Sequence, residues 1–219
     1  MIISQQKPLK EILQALGDFR KVFLVGCTEC ATICKSGGEE EILVYKKLLE
    51  ENAKLVCGYC IPEATCNAFK LKQELAKHVQ EMRQAEAILV FTCGLGVQSV
   101  KDNQRFGLAV LPACNTLFAA VLDKEGNLQE KCSLCGECVL AKTGGICPVT
   151  LCPKGILNGP CGGVKDDKCE VDREKDCAWV AIYKELKKND RLAQFKELMP
   201  PRDYKKSTKP QKLIMAKKA

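Results

Sequence analysis

The chain has a single histidine, His78, among its 219 residues. That argues against zinc sites made from two cysteines and two histidines, and against histidine acid–base chemistry. Aromatic residues make up only 5%. A protein that stacks bases on aromatic rings is therefore not expected, and neither is a nucleic-acid partner. No apolar run approaches the ~20 residues that a membrane helix requires. The first residues, Met1-Ile-Ile-Ser-Gln-Gln-Lys-Pro, contain no basic segment followed by an apolar stretch. No secretory signal is expected, and the expected location is cytoplasmic. Nucleotide signatures are missing too. Cys93-Gly-Leu-Gly follows a predicted strand but lacks a third glycine at the spacing a dinucleotide fingerprint needs.

Cysteine is what the chain has in excess. Its sixteen cysteines are about 7% of the residues. Cytosolic thiols stay reduced, so a dense pattern points to metal binding or catalysis rather than to disulfides. Eight cysteines precede residue 120 and eight lie between 132 and 177. Charge is uneven as well. From residue 200 onward there are seven basic residues against one acid, which accounts for +6 of the net +7. The body is nearly neutral and the tail is basic, either as a solvated extension or as a surface for nucleic acid or an acidic partner.

The first half alternates strand and helix signals. Short apolar runs at 21–26, 53–57, 87–92 and 107–112 read as strands. Helical spacing occurs at 9–19, 37–50, 62–85 and 94–105. Such alternation predicts a parallel α/β sheet, small and flavodoxin-like or Rossmann-like. In such sheets ligands sit beyond the carboxyl ends of the strands, where strand order reverses. Cys27, Cys30 and Cys34 directly follow the first of these strands, and Cys93 directly follows the third. With the strand order 2-1-3-4 these thiols converge. Cys66, placed at the opening of the 62–85 helix, reaches the same point, where a helix amino end favours a thiolate. Cys57, Cys60 and Cys114 read instead as small buried hydrophobes, and His78 as a mid-helix surface residue.

The second half is rich in cysteine and glycine. Cys132-Ser-Leu-Cys135-Gly-Glu-Cys138 has the C-x2-C-x2-C spacing that wraps a loop around one cubane. Position 142 is lysine, where a ferredoxin run would continue with Cys-Pro. The fourth ligand is then Cys147 or Cys152, each followed by proline. Cys161, Cys169 and Cys177 come next, among closely spaced glycines. So little apolar core implies a metal-stabilised region. An all-thiolate set suits zinc as well as iron–sulfur. A helix from Trp179 to Leu198 follows, ended by Pro200-Pro201.

These residues resemble a known family. Gly-Gly-Ile-Cys-Pro-Val-Thr (144–150), Asn-Gly-Pro-Cys-Gly-Gly (158–163), Cys-Glu-Val (169–171) and Cys-Ala-Trp (177–179) are similar to the carboxyl-terminal module of methylenetetrahydrofolate reductases from anaerobes. Cys-Thr-Glu-Cys (27–30), Gly-Gly-Glu (37–39) and Cys-Gly-Leu-Gly-Val-Gln (93–98) extend the likeness to the amino-terminal half. Taken together, the chain resembles the MetV family, the small iron–sulfur subunits of two-subunit methylenetetrahydrofolate reductases in acetogenic bacteria. Thr28 departs from the pattern, where glycine is expected.

The resemblance implies an electron-transfer adaptor with two [4Fe–4S] clusters, zinc being the alternative metal in one site. Its partner would be a flavin-containing catalytic subunit, and its electron donor ferredoxin or a larger redox complex. The ligands would come from Cys27, Cys30, Cys34, Cys66, Cys93, Cys132, Cys135, Cys138, Cys147, Cys152, Cys161, Cys169 and Cys177. The expected organisation is an α/β domain over 1–125, an iron–sulfur module over 126–178, a packing helix over 179–199 and a basic tail over 200–219. Two other classes compete with it. One is a zinc-stabilised interaction module with a basic tail. The other is a radical enzyme, whose common C-x3-C-x2-C motif is reversed in Cys27, Cys30 and Cys34.

Overall fold

The computed structural model describes residues 1–215, which fall into two compact units that divide after Phe118. Among the described residues, no helix is long and apolar enough to cross a membrane. Lys217 and Lys218 of the predicted basic tail lie outside the described residues.

The first unit is α/β. It begins with a short strand, β1 (Ile2–Gln6), and a helix, α1 (Leu9–Leu16). The main sheet contains β2 (Lys21–Val25), β3 (Leu55–Cys60), β4 (Ala87–Val90) and β5 (Ala109–Pro112). Its order is β3-β2-β4-β5 and every pairing is parallel. This is the 2-1-3-4 order on which the sequence argument rests. Helices cover both faces of such a sheet, so its central strands are apolar on both sides. Val22, Phe23, Leu24 and Val25 of β2 and all of β4 are fully buried. Burying each large side chain contributes about 1.5–3 kcal/mol.

A turn of helix, α2 (Cys30–Ile33), follows β2, and then α3 (Glu39–Glu51). Three glutamates occupy the first turn of α3, where the helix dipole favours negative charge. The Gly38 N–H donates to the Glu41 carboxylate at 2.9 Å. Ile42, Tyr45 and Leu49 form its buried stripe. Predicted as one long helix, 62–85 is instead broken into α4 (Ala68–Leu75), a 3-10 turn (Ala76–His78) and α5 (Val79–Gln84). Asn67 caps α4 through its side chain, accepting from the Phe69 and Lys70 N–H groups. Cys66 therefore precedes the helix instead of opening it. His78 is not mid-helix: it lies in the 3-10 turn, half-buried, with its ring 5.6 Å from that of Phe23. The last helix of the unit is α6 (Gly94–Asn103).

A second sheet, in the order β1-β6-β7, contains β6 (Cys114–Leu122) and β7 (Leu128–Glu130). Sequence periodicity missed all three of these strands. β6 and β7 form an antiparallel hairpin. In its turn the Asp123 carboxylate accepts from the Glu125 and Asn127 N–H groups.

The second unit has little regular structure. α7 (Pro148–Leu151) is one turn long and α8 is Ala178–Lys188. The helix predicted to reach Leu198 stops ten residues short. At Asn189-Asp190 the chain turns, with Asp190 in the left-handed region at φ 54°, and a 3-10 stretch (Leu192–Lys196) follows. Phe195 folds back edge-on to Trp179 and Tyr183. Trp179, Ile182 and Leu186 form the small core of this unit, together with Cys177.

Candidate metal centres

Parallel register brings the first group of thiols together. Val25 of β2 lies opposite Val90 of β4 and Cys60 of β3. The ladder continues past the strand ends, with Phe91 N–H donating to the Val25 carbonyl at 2.8 Å and Gly26 N–H to the Cys60 carbonyl at 2.9 Å. Cys27 and Cys93 thus leave neighbouring strands on one edge. Cys30 opens α2 and Cys34 caps its end, while Cys93 sits at the start of α6.

Main-chain and hydroxyl bonds hold the loop that carries these cysteines. The Cys27 N–H donates to the Gly37 carbonyl at 3.0 Å, and Thr32 Oγ1 donates to the Cys27 carbonyl at 2.8 Å. Thr65 Oγ1 donates to the Gly26 carbonyl at 2.7 Å. Thr28, the departure from the family pattern, uses its N–H on the Pro62 carbonyl at 3.2 Å, and its side chain is exposed. Gly37 passes so near β4 that a Cβ there would lie 1.7 Å from the Phe91 carbonyl oxygen.

Electrostatics reports the same proximity. The Cys66 thiol is pushed up, first by desolvation and then by the negative charge of Cys93, with Cys27 and Cys30 adding to it. A backbone N–H pulls the other way. The thiol stands just before the Asn67 cap of α4. Mutual repulsion among thiolates is the situation a cationic iron or zinc centre relieves.

Cys114, absent from the predicted ligands, lies beside this site. Its thiol is pushed up to about 12, chiefly by burial, with Cys34 and Cys93 raising it and a hydrogen bond to Ser36 lowering it. It donates to the Ser36 carbonyl at 3.4 Å. At 5% exposed it is the small buried residue that the sequence reading expects. Cys60 is 3% exposed and belongs to the core under α4 and α5. Burial raises its thiol well above the usual range. In the folded chain, iodoacetamide at pH 8 is expected to leave Cys60 unmodified while exposed cysteines react, as peptide mass mapping would read. Labelling of Cys60 at the rate of Cys66 would contradict that burial.

In the second unit, Leu134 sits in the left-handed region at φ 54°, which curls the Cys132–Cys138 loop. Ser133 and Thr150 share a hydroxyl hydrogen bond of 2.9 Å, and the Cys147 thiol meets the same Thr150 hydroxyl at 3.5 Å. Cys147 therefore stands by the Cys132–Cys138 loop. Cys152 lines a small cavity with Cys161, Cys169 and Cys177. The start of the basic tail is no free extension. Arg202 donates to the Cys135 carbonyl at 3.2 Å, and Lys206 pairs with Glu137 at 2.6 Å. The lysine and the Asp203 N–H hold the Glu137 carboxyl below its ordinary range.

Among the described residues, no three Cys, His, Asp or Glu side chains already meet around one ion. In a cubane each thiolate binds a different iron, so its ligands need not share a single point. Donor chemistry is consistent with either metal, since both thiol groups are soft, sulfur-only sets that suit iron–sulfur or zinc.

Residues 111–205 match the family model described as methylene-tetrahydrofolate reductase C terminal. The match covers all eight carboxyl-terminal cysteines and the Arg202 strap, and it stops short of the four-stranded sheet's first three strands. No curated protein and no solved structure matches the chain.

Proposed function

We propose that the chain is the electron-transfer subunit of a methylenetetrahydrofolate reductase, of the MetV kind, working beside a flavin-bearing catalytic subunit. One [4Fe–4S] cluster would be held by Cys27, Cys30 and Cys34 with Cys93 or Cys66. The other would be held by Cys132, Cys135, Cys138 and Cys147. When bound, such clusters supply one-electron carriers whose potential follows from burial and hydrogen bonding. Electrons would come from ferredoxin or a larger redox complex.

The observation that carries this reading is that Cys27 and Cys93 leave neighbouring parallel strands at the carboxyl edge of the sheet, with Cys30 and Cys34 on the helical turn that follows Cys27. The match at residues 111–205 supports the choice of reductase. The chain's own residues would do three things. Cysteines fix the site, the Thr32 and Thr65 hydroxyls hold its loop rigid, and Arg202 and Lys206 place positive charge beside the second group.

Anaerobic co-expression with the flavin subunit tests the proposal. The complex should be brown, hold about eight irons per small subunit and reduce the flavin with reduced ferredoxin. A colourless small subunit carrying only zinc, or a flavin subunit equally active with ferredoxin alone, would overturn it.

A further inference from the structure

Cys152, Cys161, Cys169 and Cys177 have no place in either cluster site, yet they line one cavity. Cys152 caps the end of α7 and Cys177 caps the start of α8. Between these helices the described backbone makes only two isolated bridges, Lys165 with Lys168 and Lys168 with Asp176. The second bridge sets Cys169 opposite Lys175 and Cys177 opposite Asp167, so the two cysteines flank the Lys168–Asp176 pair on a diagonal. The Cys169 N–H donates to the Lys175 carbonyl at 2.9 Å, and the Cys177 N–H to the Asp167 carbonyl at 2.8 Å. Both cysteines are 8% exposed.

Contacts around the cavity bind its arms together. Lys154, two residues past Cys152, pairs with Glu170, the neighbour of Cys169. A Cβ at Gly163, two residues past Cys161, would fall 1.1 Å from a Glu170 carboxylate oxygen. So the Cys161 arm lies against the Cys169 arm. The Trp179 indole N–H donates to the Ile156 carbonyl at 2.9 Å and closes one wall.

We propose that these four cysteines bind one zinc ion, separate from both cluster sites, and that this ion holds the Cys/Gly-rich segment of the second unit folded. The donor set suits an ion, and the room available chooses an ion over a cubane. The free space is about 10 Å³, close to one water-sized sphere. The donors are four thiols, and the one lining carboxylate, Glu170, is already paired with a lysine. Zinc takes four thiolates tetrahedrally at roughly 2.3 Å, which needs less room than a cluster. Binding requires the four thiols to turn inward by rotation about their Cα–Cβ bonds and to lose their protons.

The segment also needs such a support. Its apolar core is confined to α8 and the groups packed on it, and a region with so little core is held by metal when metal is available. The proposal does not depend on the electron-transfer role, because it concerns cysteines outside both clusters.

The full chain, made anaerobically with iron and zinc in the medium, tests it by metal analysis. About one zinc per chain is expected besides the iron. In Cys161→Ala, whose side chain is exposed, zinc should fall to near zero while iron and brown colour persist. Cobalt supplied in place of zinc should give the intense visible bands of a tetrahedral thiolate site in the unaltered chain. That readout needs no variant to fold. Zinc retained in a Cys161→Ala/Cys169→Ala double variant would overturn the proposal. So would about four further irons in place of zinc, which would make this a third cluster. An unaltered chain that takes up neither zinc nor cobalt would also overturn it.

Discussion

Replacing Cys30 with serine should halve the iron, from about eight to about four per chain, and abolish electron delivery to the flavin partner. Cys30 opens the helical turn α2, and its carbonyl accepts the Cys34 N–H at 2.9 Å. Serine keeps that main-chain bond, so the loop should survive while a soft ligand is lost. The same change at Cys57, in mid-strand on β3, should leave iron and colour unchanged. Iron analysis of the anaerobic protein separates the two, with circular dichroism confirming that both variants fold. Parallel variants at Cys66 and Cys93 decide the fourth ligand: only the true one should cost about four irons. An unchanged iron count in Cys30→Ser would remove the amino-terminal site from the proposal.

Gly37→Ala should destabilise the first unit by about 3 kcal/mol, the upper range for overpacking a closed site. The added carbon would fall on the Phe91 carbonyl oxygen, and a backbone carbonyl cannot rotate aside as a side chain can. Phe91 is fully buried and stacks obliquely on Tyr45, with ring centroids 4.8 Å apart. Relief must therefore come from the Ser36–Gly38 loop, which receives the Cys27 N–H. Loss of iron from the amino-terminal site should accompany the loss of stability. Gly94→Ala is the control. Its Cβ would meet only the Thr116 hydroxyl, at 3.4 Å, at the first position of α6. A change within about 0.5 kcal/mol is expected there. Urea denaturation of both variants measures the difference. Equal midpoints would show that the Gly37 loop yields without cost.

Local signals explain why the four-stranded sheet was legible. β2 and β4 are buried on both faces, so each is a continuous apolar run, and Cys27 and Cys93 follow those runs directly. The second sheet was not legible. β6 is mostly exposed, and its pairing with β7 is set by the turn at Asp123 rather than by an apolar period. The helices were legible in place but not in length. Amphipathic spacing continues through 62–85 and 179–198, while Asn67, the 3-10 turn at Ala76–His78 and the Asn189-Asp190 turn break the backbone locally.

From sequence alone follow the abundance of thiols, their likeness to a folate-reductase module and their division into two halves. These rest on residue identity and spacing along the chain. Only tertiary structure gave the carboxyl-terminal cysteines their different surroundings. Cys147 joins the Cys132–Cys138 loop through Thr150 and Ser133, and Cys152 turns toward Cys161, Cys169 and Cys177. No spacing rule separates Cys147 from Cys152, since each is followed by proline and each borders the same single-turn helix. Their surroundings diverge because α7 carries them at its opposite ends, one beside a hydroxyl pair and the other beside a cavity walled by Trp179.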